Sequence, residues 1–182
     1  MSHSIPRASR FCNLQDDNWF YIDGYAIHPQ SDLRLLYETS VGHNANWLLD
    51  IAPMPNGTIA PSHLAAYQLL GDWIRDCYGN PAASVTFHPV AGQTSFVVPL
   101  TPQLALDRVR LREDLTFGHV VRAFNVSVCD GAGSCQLVGN GTSVGSGKIV
   151  GFPAEIASTL HITTDAEPAL TLTVDAFSCG SL

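Results

Sequence analysis

The feature that most constrains this chain is a change of period near its middle. Arg108-Val109-Arg110-Leu111-Arg112 alternates strictly, and Leu170, Leu172, Val174 and Ala176 alternate with Thr171, Thr173 and Asp175. Across 119–128, Val120, Phe124, Val126 and Val128 share one face with Arg122 as the exception, while Asn125 and Ser127 point the other way. Thr159-Leu160-His161-Ile162-Thr163 repeats the pattern over a shorter span. Successive side chains of a strand point to opposite faces, so short runs of period two between Gly, Pro and Asp turns predict antiparallel strands of a β-sandwich or jelly roll.

Before residue 82 the texture differs. Leu33, Leu36 and Tyr37 recur at helical spacing, with Ser31 as a candidate cap and Gly42 as the stop, which predicts a helix from Ser31 to Val41. Trp47-Leu48-Leu49-Asp50-Ile51 is nearly continuously apolar and reads as a strand buried on both faces of a parallel sheet, with a buried helical turn as the alternative. Pro53, Pro55 and Asn56-Gly57 force a loop. A second helix is predicted from about Pro61 to Tyr78, with Leu64, Tyr67, Gly71 and Ile74 as its stripe and Gly79-Asn80-Pro81 as its end. Helix–strand–loop–helix is α/β grammar, but one strand cannot make a sheet, so this segment reads as incomplete.

Charge and composition remove several function classes. The 182 residues are 46% hydrophobic and 14% charged, which describes a folded chain. Nine scattered Lys and Arg against a net charge of −7 offer no basic stripe, so a nucleic-acid partner is not expected. No apolar run approaches the ~20 residues of a membrane span, so no membrane partner is expected either. Met-Ser-His-Ser-Ile-Pro-Arg lacks an apolar core and does not read as a secretory leader.

Five cysteines stand at 12, 77, 129, 135 and 179. Cys129 and Cys135 flank Asp-Gly-Ala-Gly-Ser, a turn that can bring two strand ends within disulfide reach. Two sequons, Asn125-Val-Ser and Asn140-Gly-Thr, are candidate glycosylation sites and point to the same oxidising compartment. The alternative reading is chance sequons beside reduced core thiols.

Most motifs that suggest chemistry dissolve on inspection. Asn140-Gly-Thr-Ser-Val-Gly-Ser-Gly-Lys148 fails as a phosphate loop because Thr142 stands where a Gly is needed and Ile149 where a Ser or Thr is needed. It reads instead as a glycine-rich loop between strands. His28, His43, His63, His88, His119 and His161 form no metal signature, and neither a metal nor any other cofactor is expected. The cluster at 16–25 is different: Trp19, Phe20, Tyr21 and Tyr25 lie among Asp16, Asp17 and Asp23. Rings stack on the apolar face of a pyranose while carboxylates bind its hydroxyls, although the same rings could simply seal the end of a barrel. Three carboxylates in one loop could supply a glycosidase acid and base, but proximity in sequence fixes no spacing between them.

In order along the chain come Asp17-Asn18-Trp19-Phe20-Tyr21, then Tyr37-Glu38-Thr39-Ser40-Val41-Gly42-His43-Asn44-Ala45-Asn46-Trp47-Leu48-Leu49-Asp50-Ile51-Ala52-Pro53, and Asn56-Gly57-Thr58-Ile59. This succession resembles the α-L-fucosidases of glycoside hydrolase family 29. The segment from Leu69 to Pro81 is most similar to the plant-type subgroup. Leu111–Leu115 and Gly118–Phe124 resemble the opening of the family's C-terminal β-sandwich, and Gly141–Gly145 a later loop of it. The resemblance spans about residues 11–177. Asp50 departs from the usual Asn, and His43 from the usual Arg.

The resemblance implies a mixed fold: the C-terminal fragment of a (β/α)8-like barrel over 1–82, followed by an antiparallel, jelly-roll-like β-sandwich over 83–182. It implies a retaining hydrolase of terminal α-L-fucose, with fucosylated glycan as partner. The family's nucleophile and paired histidines belong to barrel strands upstream of anything here. The acid/base carboxylate should precede the Trp-Phe segment, where this chain has Arg7-Ala8-Ser9-Arg10-Phe11. No catalytic residue is therefore expected, and the chain alone should be inactive. What carries over is substrate binding by Trp19 and Phe20, the aromatic wall of the fucose subsite.

A secreted, lysosomal or apoplastic location is implied for the full-length parent, with the missing barrel portion as a further partner. Without that cover, an exposed apolar face on 31–78 predicts poor solubility. The alternative function is a non-catalytic carbohydrate-binding or structural sandwich, although no second aromatic cluster follows residue 82.

Overall fold

A computed structural model describes residues 13–15, 18–88, 90, 92–116, 118–165 and 171–180. Two compact units divide them, one within 13–41 and 45–74 and the other within 42–44 and 75–180. Six strands, mostly in antiparallel pairs, and two helices account for the regular structure.

The first unit holds helix α1 (Gln30–Ser40) and most of helix α2 (Pro61–Tyr78). Leu33 and Leu36 bury the inner face of α1. Tyr37 meets Trp73 edge to face at 6.0 Å, the Arg34 guanidinium sits 5.3 Å over the same indole, and Gln30 Nε2 donates to the Ala66 carbonyl at 3.0 Å. The span of α2 is as expected, but its buried stripe is His63, Ala66, Leu70 and Trp73, whereas Leu64 is exposed.

Three further expectations are corrected. Pro29, not Ser31, occupies the N-cap of α1, and the Ser31 hydroxyl donates to Asp32 instead. The helix stops without Gly42 in a left-handed turn, and the positive φ falls on Asn44, at 65°. Trp47–Ile51 is not a doubly buried strand. It makes one parallel bridge, Asn13 with Asp50, and Leu48 is 71% exposed. A single bridge provides no sheet in which an apolar run can be buried.

In the second unit, β1 (Ala83–Phe87), β2 (Ser95–Glu113), β3 (Phe124–Cys129), β4 (Cys135–Gly141), β5 (Lys148–Thr164) and β6 (Leu172–Phe177) form one sheet in the order β1-β6-β2-β5-β3-β4. The two long strands shift register between Pro99 and Leu104 and between Leu106 and Arg108. Their halves thus serve different neighbours. Residues 108–113 of β2 pair with β6, and residues 159–164 of β5 pair with β3. Phe87 of β1 packs on Phe96 of β2 at 5.1 Å, although these strands are not neighbours in the sheet. Bulged strands bend, and here the bend lets one sheet fold over its own core in the manner of a sandwich.

The core between the leaves holds Phe96, Val98, Leu106, Val109, Leu111, Phe124, Val126, Leu160, Ile162, Leu172 and Val174. From Val109 onward these are the inward positions of the expected period-two runs, whereas Phe96, Val98 and Leu106 lie outside those runs. Residues 119–123, expected to belong to a strand, form a loop before β3. Arg108 and Asp175 are buried despite lying on the alternate face. Arg110 and Arg112 both donate to Asp175 Oδ2 at 2.9–3.0 Å, and Ser84 Oγ donates to Oδ1 at 2.6 Å, so the carboxylate is buried with partners on both oxygens. Among the described residues, no helix is long and apolar enough to cross a membrane.

Candidate functional site

The aromatic loop is held by one side chain. Gln15 is 1% exposed; its Oε1 accepts the Ile22 N–H at 3.0 Å and its Nε2 donates to the Ile22 carbonyl at 2.7 Å. A primary amide that pairs with both backbone groups of one residue imitates a strand partner, and it closes the loop from 15 to 22. Leu14 anchors the loop's base, donating its N–H to the Asp50 carbonyl at 3.2 Å and accepting the His28 N–H at 3.0 Å.

At the tip of that loop Trp19 and Phe20 are 74% and 78% exposed. With Tyr21, Asp50, Ile51, Ala52, Pro53 and Pro55 they line an open cleft of about 510 Å³. The opposite wall is the expected Pro-rich loop, closed by the Met54 N–H on the Thr58 carbonyl at 2.8 Å and turned at Gly57, whose φ of +82° suits glycine. Rings this exposed can stack on a pyranose while Asp50 accepts its hydroxyls.

Behind the cleft, the Tyr21 ring lies 5.5 Å from the imidazole of His63. Burial holds His63 below the ordinary histidine range, favouring the neutral ring, and its Nδ1 has no hydrogen-bond partner among the described residues. The Tyr67 hydroxyl donates to the Leu49 carbonyl; burial, and the Asp50 charge after it, push that phenol up to about 12. Tyr21 donates its hydroxyl to Asp23 at 3.1 Å, which raises the phenol in turn.

The expected site residues therefore divide. Trp19 and Phe20 share the cleft, and Asp23 sits beside it with Tyr21. Asp16, Asp17, Cys12 and the Arg7–Phe11 stretch lie outside the described residues. Asn125 in β3 and Asn140 in β4 are both exposed. Cys129 and Cys135 form a disulfide across the β3–β4 hairpin. His161 brings a ring nitrogen within 4.8 Å of both sulfurs, the one such grouping among the described residues, but the sulfurs are already spent on each other.

Sequence reasoning missed the partners. It singled out neither Asp50 and the prolines as the facing wall nor the Cys77–Cys179 disulfide, which ties the end of α2 to the end of β6. The signal for the wall was there in the forced loop at Pro53 and Pro55. The second disulfide left none, because its cysteines are 102 residues apart.

A smaller cleft of about 390 Å³ lies in the second unit, lined by Arg112, Glu113, Asp114, Leu115, Ser146, Thr171 and Thr173. It has no ring on which a sugar could stack. The Asp114 carboxylate there is held below its usual range by the Thr116 hydroxyl and N–H.

One unit is thus a bent antiparallel sandwich, and the other carries an open aromatic cleft. Solved structures similar to this chain include candidate α-L-fucosidases and fucosidases of glycoside hydrolase family 29. A candidate α-L-fucosidase from Bacteroides thetaiotaomicron matches over 91% of this chain with 26% identity and a TM-score of 0.80, and a second candidate from Bacteroides ovatus over 93% with 25% identity and 0.79. A Ruminococcus gnavus family 29 fucosidase solved with fucose superposes with a TM-score of 0.81 over 91% of the chain at 17% identity, which speaks for fold alone. This chain spans 39%, 30% and 40% of those three structures. No family model matches it, and no curated protein matches it.

Proposed function

We propose that this chain is the C-terminal portion of a family 29 α-L-fucosidase of the plant-type subgroup, contributing the aromatic wall of the fucose subsite. The observation that carries the reading is the cleft in which Trp19 and Phe20 stand largely exposed opposite Asp50 and Pro53. Residues 1–82 are the end of the barrel and 83–182 the sandwich. The remaining barrel carries the nucleophile and acid/base, so retaining hydrolysis of terminal α-L-fucose belongs to the whole protein. The same reading makes a fucosylated glycan the partner and a secreted, lysosomal or apoplastic compartment the location. The two disulfides favour such a compartment.

Titration of the chain's tryptophan fluorescence with L-fucose tests the subsite. A saturable change that vanishes in Trp19→Ala, without loss of thermal stability, is the expected result. An unchanged response in that variant removes the aromatic wall. The chain alone should not hydrolyse an aryl α-L-fucoside; turnover abolished by replacing Asp16, Asp17 and Asp23 together would overturn the division of labour.

A further inference from the structure

The two sequon asparagines face each other. Asn125 and Asn140 are directly paired in the β3–β4 ladder, and both are exposed. Their side chains share the outer face of the sheet. A Cβ added to Gly139 or Gly141 would meet Val150 at 2.3 Å or Phe124 at 2.6 Å, so the neighbours of Asn140 point inward and Asn140 itself points out. Directly opposed residues of an antiparallel pair have Cβ atoms about 4.5–5.5 Å apart.

We propose that a folded molecule carries an N-linked glycan at only one of these positions, and that the position is Asn140. The inference rests on the secretory-pathway reading above. In the modification, the asparagine Nδ2 bonds to the anomeric carbon of a polyisoprenoid-diphosphate oligosaccharide, the carbon–phosphate oxygen bond breaks, the lipid diphosphate leaves, and one amide proton passes to solvent. A pyranose ring is about as wide as the gap between the paired side chains. Two first sugars side by side would crowd each other and splay the strands.

Three features choose Asn140. β4 is the edge of the sheet, so a glycan there can lean outward, whereas β3 is flanked by β4 and β5. The Asn125 Nδ2 already donates to Thr163 Oγ1 at 3.2 Å across the β3–β5 pair. Thr142, the hydroxyl residue of the second sequon, stands beyond the end of β4. A glycan at Asn140 also covers an open strand edge that presents Leu137 at 55% exposure, a surface that would otherwise invite pairing with another chain.

The test is the full chain secreted from a eukaryotic host behind an added leader, read by intact mass and glycopeptide mass spectrometry. One glycan per secreted molecule, at Asn140 and unchanged in Asn125→Gln, is expected. Asn140→Gln and Thr142→Ala should each move the single glycan to Asn125. Secreted molecules bearing both glycans, a wild-type glycan at Asn125, or an unglycosylated secreted chain would each overturn the assignment. The added leader forces entry, so the natural location, tested by fractionating the source cells, can fail separately.

Discussion

Gly145 and Glu113 are joined twice: the Gly145 N–H reaches Glu113 Oε1 at 2.7 Å, and the Glu113 N–H reaches the Gly145 carbonyl at 2.9 Å. Glu113 Oε2 also takes the N–H groups of Val120 and Val121 at 3.0 and 3.1 Å. One buried carboxylate thus pins the loops before β3 and β5. Asn44 completes the clamp, its Nδ2 donating to the Val144 carbonyl and its Oδ1 accepting from Ser146 and Gly147.

Glu113→Ala would strand three backbone donors, and at about 1–3 kcal/mol for each buried unsatisfied group the loss approaches a small domain's whole stability. Glu113→Gln keeps one acceptor oxygen and should lose less. Gly145→Ala places a Cβ 2.5 Å from Asn44 Oδ1 at a φ of +67° and should also destabilise. Urea unfolding midpoints rank the three; a Glu113→Ala midpoint equal to wild type would refute the clamp.

The disulfides should differ in worth. In the chain-entropy account, closing the 102-residue Cys77–Cys179 loop contributes about 4.7 kcal/mol. The 6-residue Cys129–Cys135 loop contributes about 2 kcal/mol. Cys77→Ser should therefore lower the unfolding midpoint more than Cys135→Ser, and the reverse order would contradict the account.

Stability should fall on mild acidification because of His63. Its folded-state pKa lies below the ordinary 6.5, so the unfolded chain takes the proton first. The stability contribution is complete above 6.5 and declines as pH drops through and below it. His43 acts in the same direction, through burial and the nearby Lys148 charge. Asp165, lowered by the N–H groups of Arg122 and Ala123, loses its contribution only further down, below 3.8. Unfolding free energies at pH 7.5 and 5 should differ less in His63→Gln than in wild type.

At the alkaline end, burial and the Asp50 charge hold the Tyr67 phenol up at about 12. The folded state keeps that proton, so stability is lost as pH climbs from 10 towards 12. Tyr67→Phe removes the late step from an ultraviolet titration. It also leaves the Leu49 carbonyl without its donor, at a cost of about 1 kcal/mol.

What was legible in the sequence was local. Alternation at 108–112, 124–128 and 172–176 identified core residues, and Pro61 with Gly79 bounded α2. Period two could not show that β2 and β5 run through bulges for 19 and 17 residues, because a register shift breaks the very pattern being read. The buried Asp175 was illegible for a related reason: its partners Arg110 and Arg112 stand more than sixty residues away. At the site, the exposed rings announced themselves by composition, while Gln15, which holds them, looks like any loop glutamine.

The strand order has a consequence for synthesis. Among the described residues β1 pairs with β6 alone, and β6 is the sixth strand in chain order. A ribosome that has released residues 83–87 must translate on to 172–177 before they find a partner, so this half of the sheet cannot assemble progressively as the chain emerges. Until then the apolar positions of β1 wait uncovered, and a chaperone's attention falls on the interval between those two strands.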